Sequence, residues 1–371
     1  MKIAVNLLPY VDYQGIETFA INLLVAYAER FPEDDLVLIK HSLSPGFFSV
    51  PLPNVSEIII PVQKRNKGAL AFLQQTKLYG ILKEIKPDAF FAISPIAPVF
   101  YGKTVMTIHD CAYDRFAEFA NLASKWYFKI MYYVGKYRAK AVVTDSEYSK
   151  KELMDLYGVP AEKIFIVHLA TPQLPRVDED EATALRKKWN LERPYFLYVG
   201  NTRPRKNVDG LLKAFAEFKK NHREYVLVLA GKIDTRFLDV AAMTKQLGIS
   251  DSVIQTGFIS DEEKVALYKG AHALAFPSFY EGFGLPVLEA NEIGVPVITS
   301  HTSSLPEVAG DAAIYIDPRD VHSIVDAMEY ISSDPALRND LIKKGYMNVK
   351  RFSWRSAAEE LHEAFSFSIR A

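Results

Sequence analysis

Two glutamates, Glu281 and Glu289, stand eight positions apart in the run Phe276-Pro277-Ser278-Phe279-Tyr280-Glu281-Gly282-Phe283-Gly284-Leu285-Pro286-Val287-Leu288-Glu289-Ala290. An apolar stretch, Ala271 to Phe276, leads into it and reads as a buried strand. A glycine-bearing loop follows, and then a helix with Pro286 near its first turn. One carboxylate therefore falls in the loop and the other about one turn into the helix. Helix N-termini offer unpaired N–H groups, and Gly282 and Gly284 allow close approach because no Cβ intervenes. That chemistry suits a ligand that is part anion, part polyol.

A second set of reactive types lies in Val199-Gly200-Asn201-Thr202-Arg203-Pro204-Arg205-Lys206-Asn207. Gly200 permits a tight exit from a strand, and Asn207 is placed to cap the helix that follows. Arg205 and Lys206 stand at the helix mouth, where charge-assisted bonds to phosphate oxygens are geometrically natural. Taken alone, the segment also reads as a solvated basic loop. Taken with the Glu281 loop, at the carboxyl edge of the same sheet, it suggests a bound sugar diphosphate. The first half of the chain adds Gln14-Gly15-Ile16-Glu17-Thr18, a turn that opens a helix, and Thr107-Ile108-His109-Asp110 at a strand end. An isolated histidine there is usually a satisfied structural residue, and Cys111 beside it reads as a small packed hydrophobe.

These residues need elements to position them. In the first half, strands are expected at Lys2–Leu8, Asp35–Lys40, Glu57–Val62, Asp88–Ile93, Thr104–His109, Lys140–Thr144 and Lys163–His168. Helices fit at Gly15–Arg30, Ala69–Ile85, Leu122–Tyr137 and Ser146–Tyr157. Strands apolar on both faces, joined by helical crossovers, imply a parallel sheet covered on both sides. Thr171 to Glu181, with two prolines and an acidic run, reads as a connector or surface segment. The alternation then restarts with strand Tyr195–Val199, helix Val208–Lys220, strands Tyr225–Ala230 and Val253–Thr256, helix Glu262–Lys269, and strands Val295–Thr299 and Ala313–Ile316. Val208, Leu211, Leu212, Phe215 and Phe218 recur at helical spacing, so one helix face is buried. A last amphipathic helix begins near Trp354. The expected fold class is α/β, with Rossmann-like domains over 1–172 and 173–351, an interdomain cleft, and a final helix over 352–371 crossing back to the first domain.

Composition excludes several function classes. A chain of 371 residues, 49% hydrophobic and 24% charged, can bury two ordinary cores. Its net charge of −1 gives no global field for nucleic acid. A single cysteine forbids an intramolecular disulfide and a cysteine-rich zinc site. The N-terminus resembles a first strand more than a signal peptide, and no run approaches the ~20 apolar residues of a bilayer span. A cytoplasmic protein is expected, with the inner face of the membrane open to it.

Glu281 to Ala290, in the form E-G-F-G-L-P-V-L-E-A, resembles the E-x7-E signature of retaining glycosyltransferase family 4. The resemblance spans nearly the whole chain: the loop near Gly15, His109 at its strand end, the P-R-K-N stretch, the double glutamate, and the final helix after Phe352-Ser353-Trp354. It implies a GT-B fold of two facing Rossmann-like domains. It further implies that Glu289 accepts bonds from the donor's ribose hydroxyls, for which two carboxylate oxygens suit a vicinal diol. Glu281 would lie beside the transferred sugar, with backbone N–H groups of Phe283, Gly284 and Leu285 near sugar and phosphate. Lys206, assisted by Arg205, matches the diphosphate-binding cation. His109 matches the first-domain histidine near the donor sugar, and Gly15 the loop near phosphate and acceptor. The base would be held around Gly257-Phe258-Ile259. Two positions depart from the family pattern: Gln14 stands where many members have a second glycine, and Asn201 where many have an arginine, a charge that Arg205 would replace.

The resemblance implies transfer of a hexose from a nucleotide diphosphate donor, with retention and no cofactor. Arg205 and Lys206 supply the positive charge that a metal would bring. Asp178-Glu179-Asp180 could mimic a metal-binding Asp-x-Asp, but it lacks a preceding strand and reads as solvated surface. The P-R-K-N loop and Ser303 to Ala313 are similar to bacterial mannosyl- and rhamnosyltransferases of surface polysaccharide assembly. That suggests a GDP-mannose-type donor and a glycan or lipid-linked acceptor. Lys64-Arg65-Asn66-Lys67 and Lys125 to Arg138 mix cations with aromatics, which suits peripheral contact with an anionic bilayer or, equally, a core helix with exposed lysines. A GT-B nucleotide-sugar epimerase and a non-catalytic nucleotide-sugar-binding protein are the alternatives.

Overall fold

The computed structural model describes residues 1–8, 14–42, 52–62, 72–116 and 122–371, without the side chains of 14–18 and 122–124. The chain divides into two compact units, one of Met1–Pro172 with Ser353–Ala371, the other of Gln173–Phe352.

Among the described residues, the first unit holds seven strands: β1 Lys2–Asn6, β2 Asp35–His41, β3 Val55–Ile60, β4 Ala89–Ala92, β5 Thr104–Thr107, β6 Ala141–Thr144 and β7 Ile164–Ile166. They form one sheet in the order β3-β2-β1-β4-β5-β6-β7, and every pairing is parallel. Runs such as Ala89-Phe90-Phe91-Ala92 are buried on both faces because helical crossovers cover both. Helix Trp354–Arg370 belongs to this unit and buries Ala358, Leu361 and Phe365. Phe365 meets Tyr27 and Phe91 edge to face at 5.4 Å, and its burial contributes about 2 kcal/mol. Trp354 Nε1 donates to the Thr171 carbonyl at 2.8 Å and fixes the start of that helix.

The second unit holds β8 Tyr195–Val199, β9 Val226–Ala230, β10 Val253–Gly257, β11 Ala273–Phe276, β12 Val297–Ser300 and β13 Ala313–Ile316. These six run parallel in the order β10-β9-β8-β11-β12-β13. Helix Val208–Phe218 buries Val208, Leu211, Leu212, Phe215 and Phe218, the face its spacing predicts. In each sheet the strand order reverses once, between β1 and β4 and between β8 and β11.

Several local expectations change. Most strands are shorter than the apolar runs suggest, whereas β2 and β10 run one residue longer and β3 starts two residues earlier; β1 stops at Asn6, whose side chain accepts from Leu8 N–H at 3.2 Å. The segment expected to be a helix from Ala69 lies outside the described residues as far as 71, and from there contains a π-helical turn, Gln74–Leu78, before α-helix Tyr79–Ile85. Residues 171–177 are irregular and the acidic residues 178–181 are exposed, as expected of a connector and surface segment, but the acids also open a helix. Asp178 caps helix Glu179–Lys187 by accepting from Glu181 N–H at 2.8 Å, and Glu179, Asp180 and Glu181 face the positive end of its dipole. Helices Val321–Ser333 and Pro335–Val349 occupy a stretch left unassigned from the sequence, and are capped by Asp320 and Asp334.

Candidate functional site

In an open parallel sheet, the ligand crevice lies outside the carboxyl ends of the strands where their order reverses. In the second unit that point falls between β8 and β11, which pair through Phe196 with Ala273 and Leu197 with Leu274. The loop after β8 carries Arg205 and Lys206; the loop after β11 carries Glu281. Strand pairing alone thus brings together two segments 75 positions apart in sequence.

The two loops are tied to each other. Phe279 N–H donates to the Arg205 carbonyl at 2.8 Å. Asn207 adopts the left-handed region at φ 56°, and its side chain makes no cap bond to the following helix. Its amide donates instead to the carbonyls of Pro277 at 3.1 Å and Pro318 at 2.7 Å. The capping role expected from its position is thereby corrected: carbonyls of the loops after β11 and β13 take its amide in place of the helix N-terminus.

At the centre, Lys206 Nζ lies 2.6 Å from Glu281 Oε1 and 2.9 Å from Oε2, while Arg205 Nη1 lies 2.8 Å from Oε2. Arg205 also donates to the Tyr280 carbonyl at 2.9 Å, and Lys206 Nζ stands 5.0 Å over the Phe276 ring. Glu281 and Lys206 are buried, at 5% and 8% exposure. Burial alone would raise the Glu281 carboxyl; Lys206 and Arg205 outweigh it and hold the group below the usual glutamate range. Among the described residues, two cations face one carboxylate here.

Glu289 sits in the first turns of helix Leu285–Ile293 and is also buried. Lys264 Nζ donates to Oε1 at 2.9 Å and the Tyr268 hydroxyl to Oε2 at 3.0 Å. Burial would lower the Lys264 ammonium, but Glu289 outweighs it and the pKa is raised. The helix starts at Gly284, whose φ of 120° favours glycine, with no side-chain cap and no acid in its first turn. Helix Asp261–Gly270 is the opposite case: it carries a full capping box from Ser260 and Glu263 and three acids in its first turn. The positive end of helix Leu285–Ile293 is thus left for an anion, beside Phe283, Gly284 and Leu285. At the far edge, Phe258 is exposed and Ile259 half-buried just after β10.

In the first unit, His109 follows β5. Its Nδ1 lies 2.9 Å from Asp145 Oδ2, its Nε2 lies 3.0 Å from the Ile93 carbonyl, and Phe19 meets its ring edge-on at 5.1 Å. A carbonyl accepts only from N–H, which puts a proton on Nε2; the proton between Nδ1 and Asp145 is shared by a pair in which burial raises the carboxyl and the carboxyl raises the imidazole. Burial would lower its pKa; Asp145, then Asp110 and the Ile93 carbonyl, raise it above the ordinary 6.5. Gly15 lies in the first turn of helix Gln14–Arg30, and residues 9–13 before it lie outside the described residues, as does Lys64-Arg65-Asn66-Lys67. Cys111 is buried in the core, where burial pushes its thiol up.

Several residues have contacts that the sequence did not assign, although Ser303 and Ser304 lie in a run singled out for its resemblance. Ser303 Oγ accepts from Glu281 N–H at 3.1 Å, and Ser304 Oγ donates to the carbonyls of Glu281 at 3.0 Å and Phe283 at 2.7 Å, pinning the loop from the end of β12. Lys264 and Tyr268 share one helix face, which spacing reveals, but their meeting with Glu289 depends on packing. Ser94, buried after β4, has no hydrogen-bond partner for its Oγ among the described residues.

Comparison with known proteins gives two family models, glycosyl transferases group 1 over residues 181–348 and glycosyltransferase family 4 over residues 13–172. The chain is 33% identical over 288 residues to O-antigen chain mannosyltransferase B of Escherichia coli, covering 76% of this chain and 75% of that protein. Among solved structures it resembles WaaG, a glycosyltransferase involved in lipopolysaccharide biosynthesis, at 17% identity and a TM-score of 0.74 over 97% of this chain and 98% of that one. It also resembles HepE of Anabaena, solved in complex with UDP-glucose, at 16% identity and a TM-score of 0.79 over 99% of both chains. The last two likenesses concern the fold, which is GT-B.

Proposed function

This chain belongs to the group 1 glycosyl transferases and glycosyltransferase family 4, and from that premise we propose that it transfers a mannose-type hexose from GDP-mannose, or a closely related nucleotide sugar, to a glycan or lipid-linked acceptor. Cell-surface polysaccharide or lipopolysaccharide assembly is the setting, at the inner face of the cytoplasmic membrane. Among the described residues, no helix is long and apolar enough to cross a membrane. The observation that carries the reading is the Arg205–Lys206–Glu281 cluster at the reversal point of the second sheet.

Breaking the sugar–phosphate bond leaves negative charge on the diphosphate and positive charge at the anomeric carbon. Arg205, Lys206 and the uncapped helix start at Gly284 are placed to stabilise the first. Their charge supports transfer without a metal ion. Glu289 takes the ribose diol, exchanging or sharing its bonds from Lys264 and Tyr268. The backbone at Phe258 and Ile259 takes the base. Glu281 holds and orients the cations and the sugar. Bonds to both its oxygens and a depressed pKa make it a poor nucleophile, which supports retention without a glycosyl-enzyme ester. The acceptor oxygen then bonds the anomeric carbon on the face the diphosphate leaves, and its proton passes to a donor phosphate oxygen. On the acceptor side stand His109, held by Asp145, and Ser94, whose hydroxyl has no partner among the described residues.

A turnover screen over GDP-, UDP- and dTDP-hexoses with a polysaccharide-repeat acceptor tests this. Transfer from GDP-mannose to an α-linked product, undiminished by EDTA, is the expected result. An inverted product would remove retention, and activity lost to EDTA and restored by Mg²⁺ would remove metal independence. Donor binding without transfer or hydrolysis would leave a binding protein instead.

A further inference from the structure

The loop that carries Glu281, residues 279–284, has no helix or strand of its own, so its backbone groups need partners from elsewhere. Three consecutive hydroxyls just after β12 supply several of them. Thr302 Oγ1 donates to the Phe279 carbonyl at 3.1 Å, and Ser303 Oγ accepts from Glu281 N–H at 3.1 Å. The buried Ser304 hydroxyl is shared between the carbonyls of Glu281 at 3.0 Å and Phe283 at 2.7 Å. Leu305 closes the far end: a Cβ on Gly284 would stand 2.9 Å from its Cδ2. The backbone of this clamp is unusual at one residue. Ser303 has a φ of 57°, in the left-handed region that favours glycine. Three other non-glycine residues share that region among the described residues. Lys86 closes a helix, and Asn190 and Asn207 are of the type that tolerates it. Ser303 instead lies in the turn between β12 and helix Leu305–Ala309. Glycine would adopt that turn without strain, and what the serine adds is the acceptor for Glu281 N–H.

Glu281 is therefore gripped at both ends. Its carboxylate meets Lys206 and Arg205 at 2.6–2.9 Å, and its main chain meets Ser303 and Ser304. Because the carboxylate and the two cations are bonded together, a shift of the Glu281 backbone moves all three. Strain held next to such a cluster fits a role in pre-organising it. We infer that Ser303 is a positioning residue for the transfer step. Its hydroxyl fixes the height of the Glu281 backbone, and through the carboxylate it sets where Lys206 and Arg205 stand against the leaving diphosphate. The left-handed backbone at Ser303 is kept for that contact. This deepens the proposed function and rests on it in one respect, that the donor binds at this cluster.

Two variants of the full chain separate the contact from the strain. Ser303→Gly and Ser303→Ala both remove the hydroxyl, but only glycine also relieves the backbone. Activity should follow the hydroxyl and stability the backbone. Both variants should lower kcat about tenfold with the donor KM within about twofold of the intact protein, since a small misplacement of a catalytic group is felt in the transition state. In urea, Ser303→Ala should unfold at a lower midpoint than Ser303→Gly. The inference is overturned if Ser303→Gly turns over like the intact protein, or if kcat in the two variants ranks with their midpoints, because the serine is then merely structural. Amide hydrogen exchange, run without donor or acceptor, gives a second reading. Exchange at the Glu281 amide should be about tenfold faster in Ser303→Gly, with strand Ala273–Phe276 exchanging as before. Unchanged exchange at Glu281, or exchange that quickens throughout the second unit, also overturns it. Failure of the donor reading would instead appear as absent sugar transfer by the intact protein with the local exchange difference still present.

Discussion

At the carboxyl edge of the second sheet two cations surround one carboxylate; at the same edge of the first, one histidine sits between an aspartate and a carbonyl. The carboxylates of both clusters are buried while Arg205 and His109 are half-buried, and both clusters follow strands that end at or beside a reversal of strand order. The second, among the described residues, sets two cations against one carboxylate and stands beside a helix start without a side-chain cap. The first is balanced by Asp145, with Asp110 close by. One edge thus gathers cations around a carboxylate, the other carboxylates around a histidine. The GT-B repeat of two similar sheets has been given unlike electrostatics by a few residues at strand ends.

The comparison breaks most visibly at Glu281. Glu281→Ala strands two cations in a buried site and should destabilise the second unit by about 3–5 kcal/mol, measured by urea denaturation. Loss below 1 kcal/mol would mean that the cluster is not electrostatically coupled. Lys206→Ala should lower kcat about 10²–10³-fold, as for loss of one donor to a developing oxyanion. A drop under tenfold in steady-state turnover would remove Lys206 from the chemistry. Glu289→Ala should act on affinity: the donor KM rises about tenfold or more with kcat little changed, as expected for charged hydrogen bonds to a ribose.

The smallest effects are in pH, and they run in opposite directions. The Glu281 pKa is depressed, so its contribution is present above the ordinary value of 4.5 and is lost as pH falls through the folded value beneath it. The His109 pKa is raised, so its contribution is complete below 6.5 and is lost as pH rises through the folded value above it. Acid should thus weaken the second unit and mild alkali the first. Denaturation profiles of Glu281→Gln and Asp145→Asn should lose the acid and the alkaline slope respectively. An unchanged alkaline slope in Asp145→Asn would show that His109 is neutral in the folded protein.

Much of the architecture was legible. Apolar runs of four to six residues, alternating with helical spacing, can only be buried strands and their crossovers. Helix Val208–Phe218 and strand Tyr195–Val199 lie where pattern puts them because buried faces have a strict period. Capping was read less well. Asn207 has a good capping side chain in the capping position, yet spends it on two carbonyls from other segments. Asp178 is exposed, as its solvated run suggested, and in addition caps a helix, which was not foreseen. A side chain's choice among donors and acceptors depends on what the fold brings near it, and local sequence holds only some of the candidates.

The same division applies to the whole molecule. Sequence by itself determined the residue types at the strand ends, the glycines that keep backbone approachable, and the period of each element, because these follow from local geometry and side-chain chemistry. It also placed Glu281 and Glu289 in one strand–loop–helix unit. Only the tertiary structure decided that Lys206 and Arg205 close on Glu281, that Lys264 and Tyr268 hold Glu289, and that the aromatics rather than the lysines of helix Leu122–Tyr137 face outward. Those pairings join residues far apart in sequence, and their energies depend on burial and angstrom-scale separation, which arise only when parallel strands set distant loops side by side.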